Sequence, residues 1–125
     1  MPLILIIMST FILGENAIAQ DKNLVVRVAK LQIDSAQLEN YLVAAKEEIT
    51  TAIQIEPGVL TLYAVQEKEH PANITIFEIY ANAEAYKSHL QTPHFKKYKL
   101  VTKDMVKSLE LMDTVPVALE SKFKP

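Results

Sequence analysis

The chain has 125 residues, of which half are apolar and 22% are charged, and its formal net charge is −2. This length supports one hydrophobic core, and the composition is that of a globular protein rather than a disordered one. The sequence contains no cysteine, which excludes thiolate nucleophiles, disulfides and cysteine-ligated metal sites. Acidic and basic residues are interspersed, so no basic stripe predicts nucleic-acid binding.

The first nineteen residues have the pattern of a secretory signal peptide. A mostly apolar run at residues 3–13 is followed by Ala17-Ile18-Ala19, a typical cleavage site. The run is short for a bilayer span, and no Lys or Arg precedes it. An N-terminal strand or a membrane anchor is the alternative. We expect cleavage after Ala19 and a periplasmic or secreted domain of residues 20–125, without a stable membrane span.

Residues 24–33 are rich in Val, Leu and Ile, which predicts a β-strand. One face of this strand carries Val26 and Val28, and the other carries Arg27, Ala29 and Leu31. Because both faces carry apolar side chains, each face needs a packing partner.

A helix is predicted next, with Asp34-Ser35 supplying the N-cap. Its predicted apolar stripe consists of Leu38, Leu42, Ala45, Ile49 and Ile53. Glu48 and its two preceding neighbours lie off that stripe in this interpretation. Glu56-Pro57-Gly58 ends the helix, because proline cannot continue it and glycine relaxes the turn.

The second half of the chain has the pattern of a β-hairpin, two helices and a final strand. Strands are predicted at residues 59–67 and 74–80, with a turn at residues 70–73. Asn82 caps a helix over residues 83–91, and Thr92-Pro93 begins another helix, since proline suits the first helical position. Residues 106–115 form the last strand of a core that spans residues 24–115, and residues 116–125 form a tail.

This order, β-α-β-β-α-β, predicts an α+β fold of the ferredoxin-like type. Helices on one face of a single sheet leave the other face uncovered. We expect that uncovered face to be apolar through Val26, Val28, Leu60, Leu62, Ile74 and Ile76 or their neighbours. A second copy that packs sheet against sheet is the simplest cover, so the pattern predicts a homodimer.

Three segments resemble, in order and spacing, the antibiotic biosynthesis monooxygenase (ABM) family. They are Glu56-Pro57-Gly58, Phe77-Glu78-Ile79-Tyr80 and the stretch from His89 to Phe95, HLQTPHF. The HLQTPH part is particularly similar to the quinol monooxygenases of that family, and the resemblance covers residues 24–115. It implies a dimeric α-β barrel. It also implies a cofactor-independent monooxygenase that acts with O2 on a quinol or a small aromatic, phenolic molecule.

Such chemistry needs a base, an apolar cavity and a group that stabilises an oxyanion, because a deprotonated phenol can itself reduce oxygen. His89 and His94 are the candidate proton carriers, and Glu78 is the candidate that orients a histidine. Each of these three side chains also has a structural interpretation, in which it forms a hydrogen bond or ion pair that connects two secondary-structure elements. His70 lies in a predicted turn, where we expect it to be solvated.

Four further residues are candidates for substrate binding. Tyr63 and Tyr80 lie on predicted strands, from which either can line the cavity or fill the core. Arg27 is the only arginine in the sequence and can stabilise an anionic intermediate or form an interface salt bridge. Phe95 is a more ordinary core residue. Under this hypothesis no metal and no other cofactor is expected.

Two other functions remain open from the sequence. One is haem binding or degradation, although haem-degrading relatives use a tryptophan in the cavity and this sequence has none. The other is a non-catalytic stress protein that binds a small apolar ligand with the same fold.

Overall fold

The structure is a computed structural model, and it describes residues 23–123. The predicted signal segment, residues 1–19, lies outside the described residues. The elements, in chain order, are β1 (Val25–Ile33), a 3-10 turn (Ser35–Gln37), α1 (Leu38–Ile55), β2 (Val59–Gln66), β3 (Asn73–Tyr80), α2 (Ala83–Leu90), α3 (Pro93–Thr102) and β4 (Val106–Thr114). Within residues 23–123, no helix has the length and apolarity needed to cross a membrane.

The four strands form one antiparallel sheet in the order β2-β3-β1-β4. This order confirms the predicted ferredoxin-like α+β fold, with the second helical segment divided into α2 and α3. The division follows from local chemistry. The Thr92 hydroxyl accepts a hydrogen bond from the Phe95 backbone N–H at 3.2 Å, and Pro93 occupies the first turn of the new helix.

The faces of the sheet differ from the prediction at three positions. Leu31 pairs with Ile74, and Ala29 pairs with Ile76. Leu62 pairs with Glu78. Residues directly opposite each other in an antiparallel pair share a face, so Leu62, Ile74 and Ile76 point towards the helices. Their predicted placement on the uncovered face is wrong, because the register ties them to the same face as Ala29 and Leu31.

The opposite face is nevertheless largely apolar, as predicted for Val26 and Val28, although the register also places Lys30, Thr75 and Glu110 on it. By register it carries Val26, Val28, Tyr63, Val65, Phe77, Ile79 and Met112. Val26 and Ile79 are buried within the single chain, whereas Tyr63 and Val65 are exposed.

The buried face of α1 also differs from the predicted stripe. The residues of this helix that are buried are Tyr41, Ala45, Glu48 and Ala52, spaced by four, three and four positions. Ile53, which the prediction placed in the core, is exposed. Compared with the predicted orientation, the helix is rotated about its axis so that Ala45 and Ala52 face the core. This rotation also brings the carboxyl group of Glu48 into the interior.

Candidate functional site

A cavity of about 420 Å³ lies between the helix-facing side of the sheet and the three helices. Its apolar wall includes Ala29, Leu31, Leu62 and Ile76, and its aromatic wall consists of Tyr80, Tyr86, Phe95 and Tyr98. The polar side chains that line it include Glu48, Glu78 and His89. An apolar cavity of this size with a few convergent polar groups is typical of a small-molecule site.

Two histidines meet on one carboxylate beside this cavity. His89 is buried, and its Nδ1 lies 2.9 Å from Oε2 of Glu56. Nε2 of His94 lies 2.5 Å from the same oxygen. Since a carboxylate oxygen accepts hydrogen bonds, both ring nitrogens donate to Oε2 of Glu56.

A second carboxylate lies on the other side of the His89 ring. Oε1 of Glu48 is 3.5 Å from Nε2 of His89, which is an ion-pair distance, but it makes no hydrogen bond within residues 23–123. Burial raises the pKa of Glu48, and the nearby His89 and His94 oppose that rise. His89 thus lies between two carboxylates. Because Glu56 holds the proton on Nδ1, Nε2 is the nitrogen that can take up another.

Glu78 and Tyr80 form a separate pair in the cavity wall. The Tyr80 hydroxyl donates a 2.6 Å hydrogen bond to Oε1 of Glu78. Burial raises the pKa of Glu78, although this hydrogen bond and Arg27 partly offset it. Burial, together with Glu78, also raises the pKa of Tyr80. The phenol of Tyr80 therefore stays protonated and remains a donor.

Four of the predicted site residues line the cavity: His89, Glu78, Tyr80 and Phe95. The Phe95 ring lies 4.9 Å from the His89 ring, centroid to centroid, and the Tyr80 ring lies 5.3 Å from it. His94 is not part of this wall. It reaches His89 through Glu56 and lines a second cavity, of about 320 Å³, together with Glu48.

The other predicted residues lie elsewhere. Tyr63 is on the opposite face of the sheet and 46% exposed, so it does not line the cavity. The guanidinium of Arg27 lies 4.6 Å above the centre of the Tyr86 ring, and its Nε is 3.5 Å from Asp113. Arg27 does not line the cavity. His70 is exposed, as predicted.

Sequence reasoning missed Glu48 and Glu56. Glu48 was detectable in principle, because it lies three residues after Ala45 and seven after Tyr41, on one helix face. Glu56 was interpreted only as part of the stop signal of the helix. No local pattern indicates that it contacts two histidines 33 and 38 residues further along the chain.

Close packing around Gly58 holds this turn against α2. A Cβ atom at position 58 would lie 2.4 Å from Cβ of Ala85, closer than atoms can approach. Thr92 fixes the position of His89 from the other side, because its hydroxyl donates to the His89 carbonyl at 2.8 Å.

Four side chains of the site could each supply one metal-ligand atom, and these atoms all lie within 4.8 Å of one another. They are those of Glu48, Glu56, His89 and His94.

The family model for antibiotic biosynthesis monooxygenase matches residues 24–99. A crystal structure of a candidate antibiotic biosynthesis monooxygenase from Bacteroides thetaiotaomicron is 53% identical, with a TM-score of 0.80. That match covers 83% of this chain and 99% of the other. A comparison with proteins of curated function gives no match.

Two other crystal structures illustrate the range of similarity. A candidate monooxygenase from Lactobacillus acidophilus is 36% identical with a TM-score of 0.72, and the match covers 73% of this chain but 43% of that protein. A candidate antibiotic biosynthesis monooxygenase from Nitrosomonas europaea is 16% identical with a TM-score of 0.71, covering 76% of this chain and 91% of that one. At that identity the likeness concerns the fold alone.

Proposed function

Because the chain belongs to the antibiotic biosynthesis monooxygenase family and has its monooxygenase-type fold, we propose that it oxidises a quinol or a similar small phenolic molecule with O2, without a cofactor. The observation that carries this proposal is the buried His89, held by Glu56 at the wall of an aromatic-lined cavity of about 420 Å³. This arrangement supplies a base beside a space that fits an aromatic ring.

In the proposed mechanism, Nε2 of His89 takes the proton of a substrate hydroxyl. Glu56 keeps the other ring nitrogen protonated and stabilises the imidazolium that forms, as a carboxylate does beside a general-base histidine. Glu48, on the Nε2 side, adds a second acidic group to the path of the proton. His94 shares the charge of Glu56 and therefore influences the basicity of His89.

The resulting phenolate is electron-rich enough to reduce oxygen. One atom of O2 enters the ring, and the other leaves as water with two hydrogens from the substrate. A quinol thereby becomes a hydroxyquinone, and the substrate itself supplies all four electrons. No nicotinamide is consumed, which suits the export that we propose from residues 1–19.

The walls of the cavity fit an anionic aromatic substrate. Tyr80 and Phe95 offer ring faces and edges to an aromatic ring. Lys99, Lys103 and Lys107 also line the cavity, and all three are exposed. Their positive charge favours entry of a phenolate and stabilises negative charge that develops on oxygen.

We also propose that the protein is a homodimer that pairs through the sheet face opposite the helices. Tyr63 and Val65 on that face are exposed apolar or aromatic side chains, and a second copy of the same face would remove them from water. The substrate-binding role predicted for Tyr63 then concerns this interface rather than the cavity within one chain.

The experiment is oxygen uptake with a panel of quinols, without added metal, flavin or reductant. We expect His89→Gln to lower kcat by about 100-fold or more, because it removes the base but keeps a polar side chain. His70→Gln is the matched control, since His70 is exposed and outside the cavity. Full activity of His89→Gln, or equal loss in both variants, would contradict the proposal.

A further inference from the structure

The cluster of Glu48, Glu56, His89 and His94 is unusual for the number of metal-ligand groups that it gathers in one place. Each residue offers one ligand atom, and the four atoms lie within 4.8 Å of one another. Ligands about 2.1 Å from a tetrahedral zinc ion are roughly 3.4 Å apart. The separations in the cluster lie on both sides of this value, from 2.5 Å between Nε2 of His94 and Oε2 of Glu56 to 3.5 Å between Nε2 of His89 and Oε1 of Glu48. Binding of an ion would therefore replace the hydrogen bond between His94 and Glu56 with two metal–ligand bonds.

An independent observation points to a missing ligand. The side chain of Glu48 is 8% exposed, yet its buried Oε1 has no hydrogen-bond partner in the part of the chain that the structure describes, and it lies on the side facing His89. A buried carboxylate oxygen without a partner is costly. A cation bound between Glu48 and the histidines would give this oxygen a partner.

The charge of the cluster fits a divalent ion. The cluster contains two carboxyl groups, from the buried Glu48 and the part-buried Glu56, and neutral imidazoles bring no charge to compensate them. A divalent cation would neutralise both carboxylates while the histidines stay neutral, which is the form that binds metal. Two nitrogen and two oxygen ligands favour a first-row transition ion over Ca²⁺ or Mg²⁺, which prefer oxygen ligands alone.

The surroundings supply an enclosing wall and an entry route. The rings of Phe95 and Tyr80 pack on His89. The second cavity, of about 320 Å³, is lined by both His94 and Glu48. The exposed ion pair of Lys97 and Glu47 also lies in its wall. An ion from solvent can therefore reach the cluster without passing through the substrate cavity.

We propose that Glu48, Glu56, His89 and His94 form a binding site for one divalent first-row transition ion such as Zn²⁺. This site goes beyond the proposed oxygenation and does not depend on it. A ring nitrogen of His89 that binds a cation cannot also accept a proton, so the base chemistry proposed above belongs to the metal-free protein.

The test is calorimetric titration of the metal-stripped, untagged protein with Zn²⁺, in the absence of any substrate. We expect one ion per chain, and at least about tenfold weaker binding in Glu48→Gln and in His94→Gln. Glu39→Gln and His70→Gln are the matched controls, because both residues are exposed and outside the cluster. Circular dichroism establishes that each variant is folded.

A titration with Co²⁺, followed by visible absorption, provides a second readout on the unmodified protein. Binding at the cluster should give the ligand-field bands of a site with mixed nitrogen and oxygen ligands, and Zn²⁺ should remove them. The proposal is overturned if the folded protein binds no Zn²⁺, or if the control substitutions weaken binding as much as the cluster substitutions. Loss of quinol oxidation alone would not bear on it.

Discussion

Glu48 lies on the buried face of α1, so its carboxyl group points into the core. Its neighbours on the buried face of α1, Tyr41 and Ala45 before it and Ala52 after it, are all buried as well. Burying a charged carboxylate is unfavourable unless opposite charge is near. The ring of His89 lies on one side of it, with Nε2 3.5 Å from Oε1. An acid at this position suits a role in proton transfer or in ion binding.

Glu78 permits a test of the electrostatics of the cavity wall. Its pKa is raised by burial, so the folded chain holds this proton more tightly than the unfolded chain. The stability that the protonated carboxyl contributes is present at acid pH and is lost as pH rises through the folded-state pKa. Glu78→Gln has no such titration. We expect its free energy of unfolding, relative to the wild type, to increase from about pH 4 to pH 8.

Urea denaturation at several pH values measures this difference. The difference in free energy of unfolding should change by no more than about 1.4 kcal/mol per pH unit, because one proton is involved. Glu84→Gln is a suitable control, since Glu84 is exposed and pairs only with Lys87 across one helical turn. A difference that is constant with pH, or that has the opposite sign, would contradict the assignment.

At the scale of elements, the contact between the turn after α1 and the start of α2 determines where Glu56 lies. We expect Gly58→Ala to destabilise the fold by about 1–3 kcal/mol, because the added Cβ overlaps Cβ of Ala85 and forces α2 outwards. The same shift should separate Glu56 from His89 and lower turnover. Urea denaturation and oxygen uptake measure the two effects.

A rescue variant distinguishes this overlap from a general effect of alanine. Gly58→Ala combined with Ala85→Gly removes the clash, at a cost of about 1 kcal/mol for glycine in a helix. The pair should therefore be more stable than the sum of the single changes predicts, and it should recover activity. Strict additivity of the two changes would show that the contact does not matter.

The boundaries of the elements could be predicted from short signals, but the faces of the helix and the sheet could not. Asn82, Thr92-Pro93 and Glu56-Pro57-Gly58 act through local hydrogen bonds and backbone geometry, so the sequence alone identifies them. The buried face of α1 depends on which of two adjacent apolar stripes the sheet accepts. The face of Ile74 depends on its pairing with Leu31, which is a tertiary property.

At the scale of the whole molecule, the order of elements was sufficient to predict the ferredoxin-like topology. The site was predicted only in part. Glu78 was found because a carboxylate among apolar strand residues is conspicuous, and His89 and His94 were found as the histidines of the HLQTPHF segment. The carboxylates that contact these histidines were missed, because contacts between Glu56 and residues more than 30 positions away arise from packing of the entire domain.

The proposed assembly predicts a dimer in solution. We expect sedimentation equilibrium to give twice the mass of the chain, and Val65→Glu to shift the equilibrium towards the monomer by burying a charge in the interface. Val43→Glu is the control, because Val43 is equally apolar and exposed but lies on α1. A wild-type monomer, or dissociation by both variants alike, would contradict pairing through the sheet.

In the proposed reaction the substrate itself supplies the electrons for oxygenation. Mass spectrometry of the quinone product formed under isotopically labelled dioxygen tests this, with metal chelator present and no reductant. We expect one labelled oxygen atom per product molecule and one O2 consumed per turnover. An unlabelled product, or turnover that requires an added metal, flavin or reductant, would contradict it.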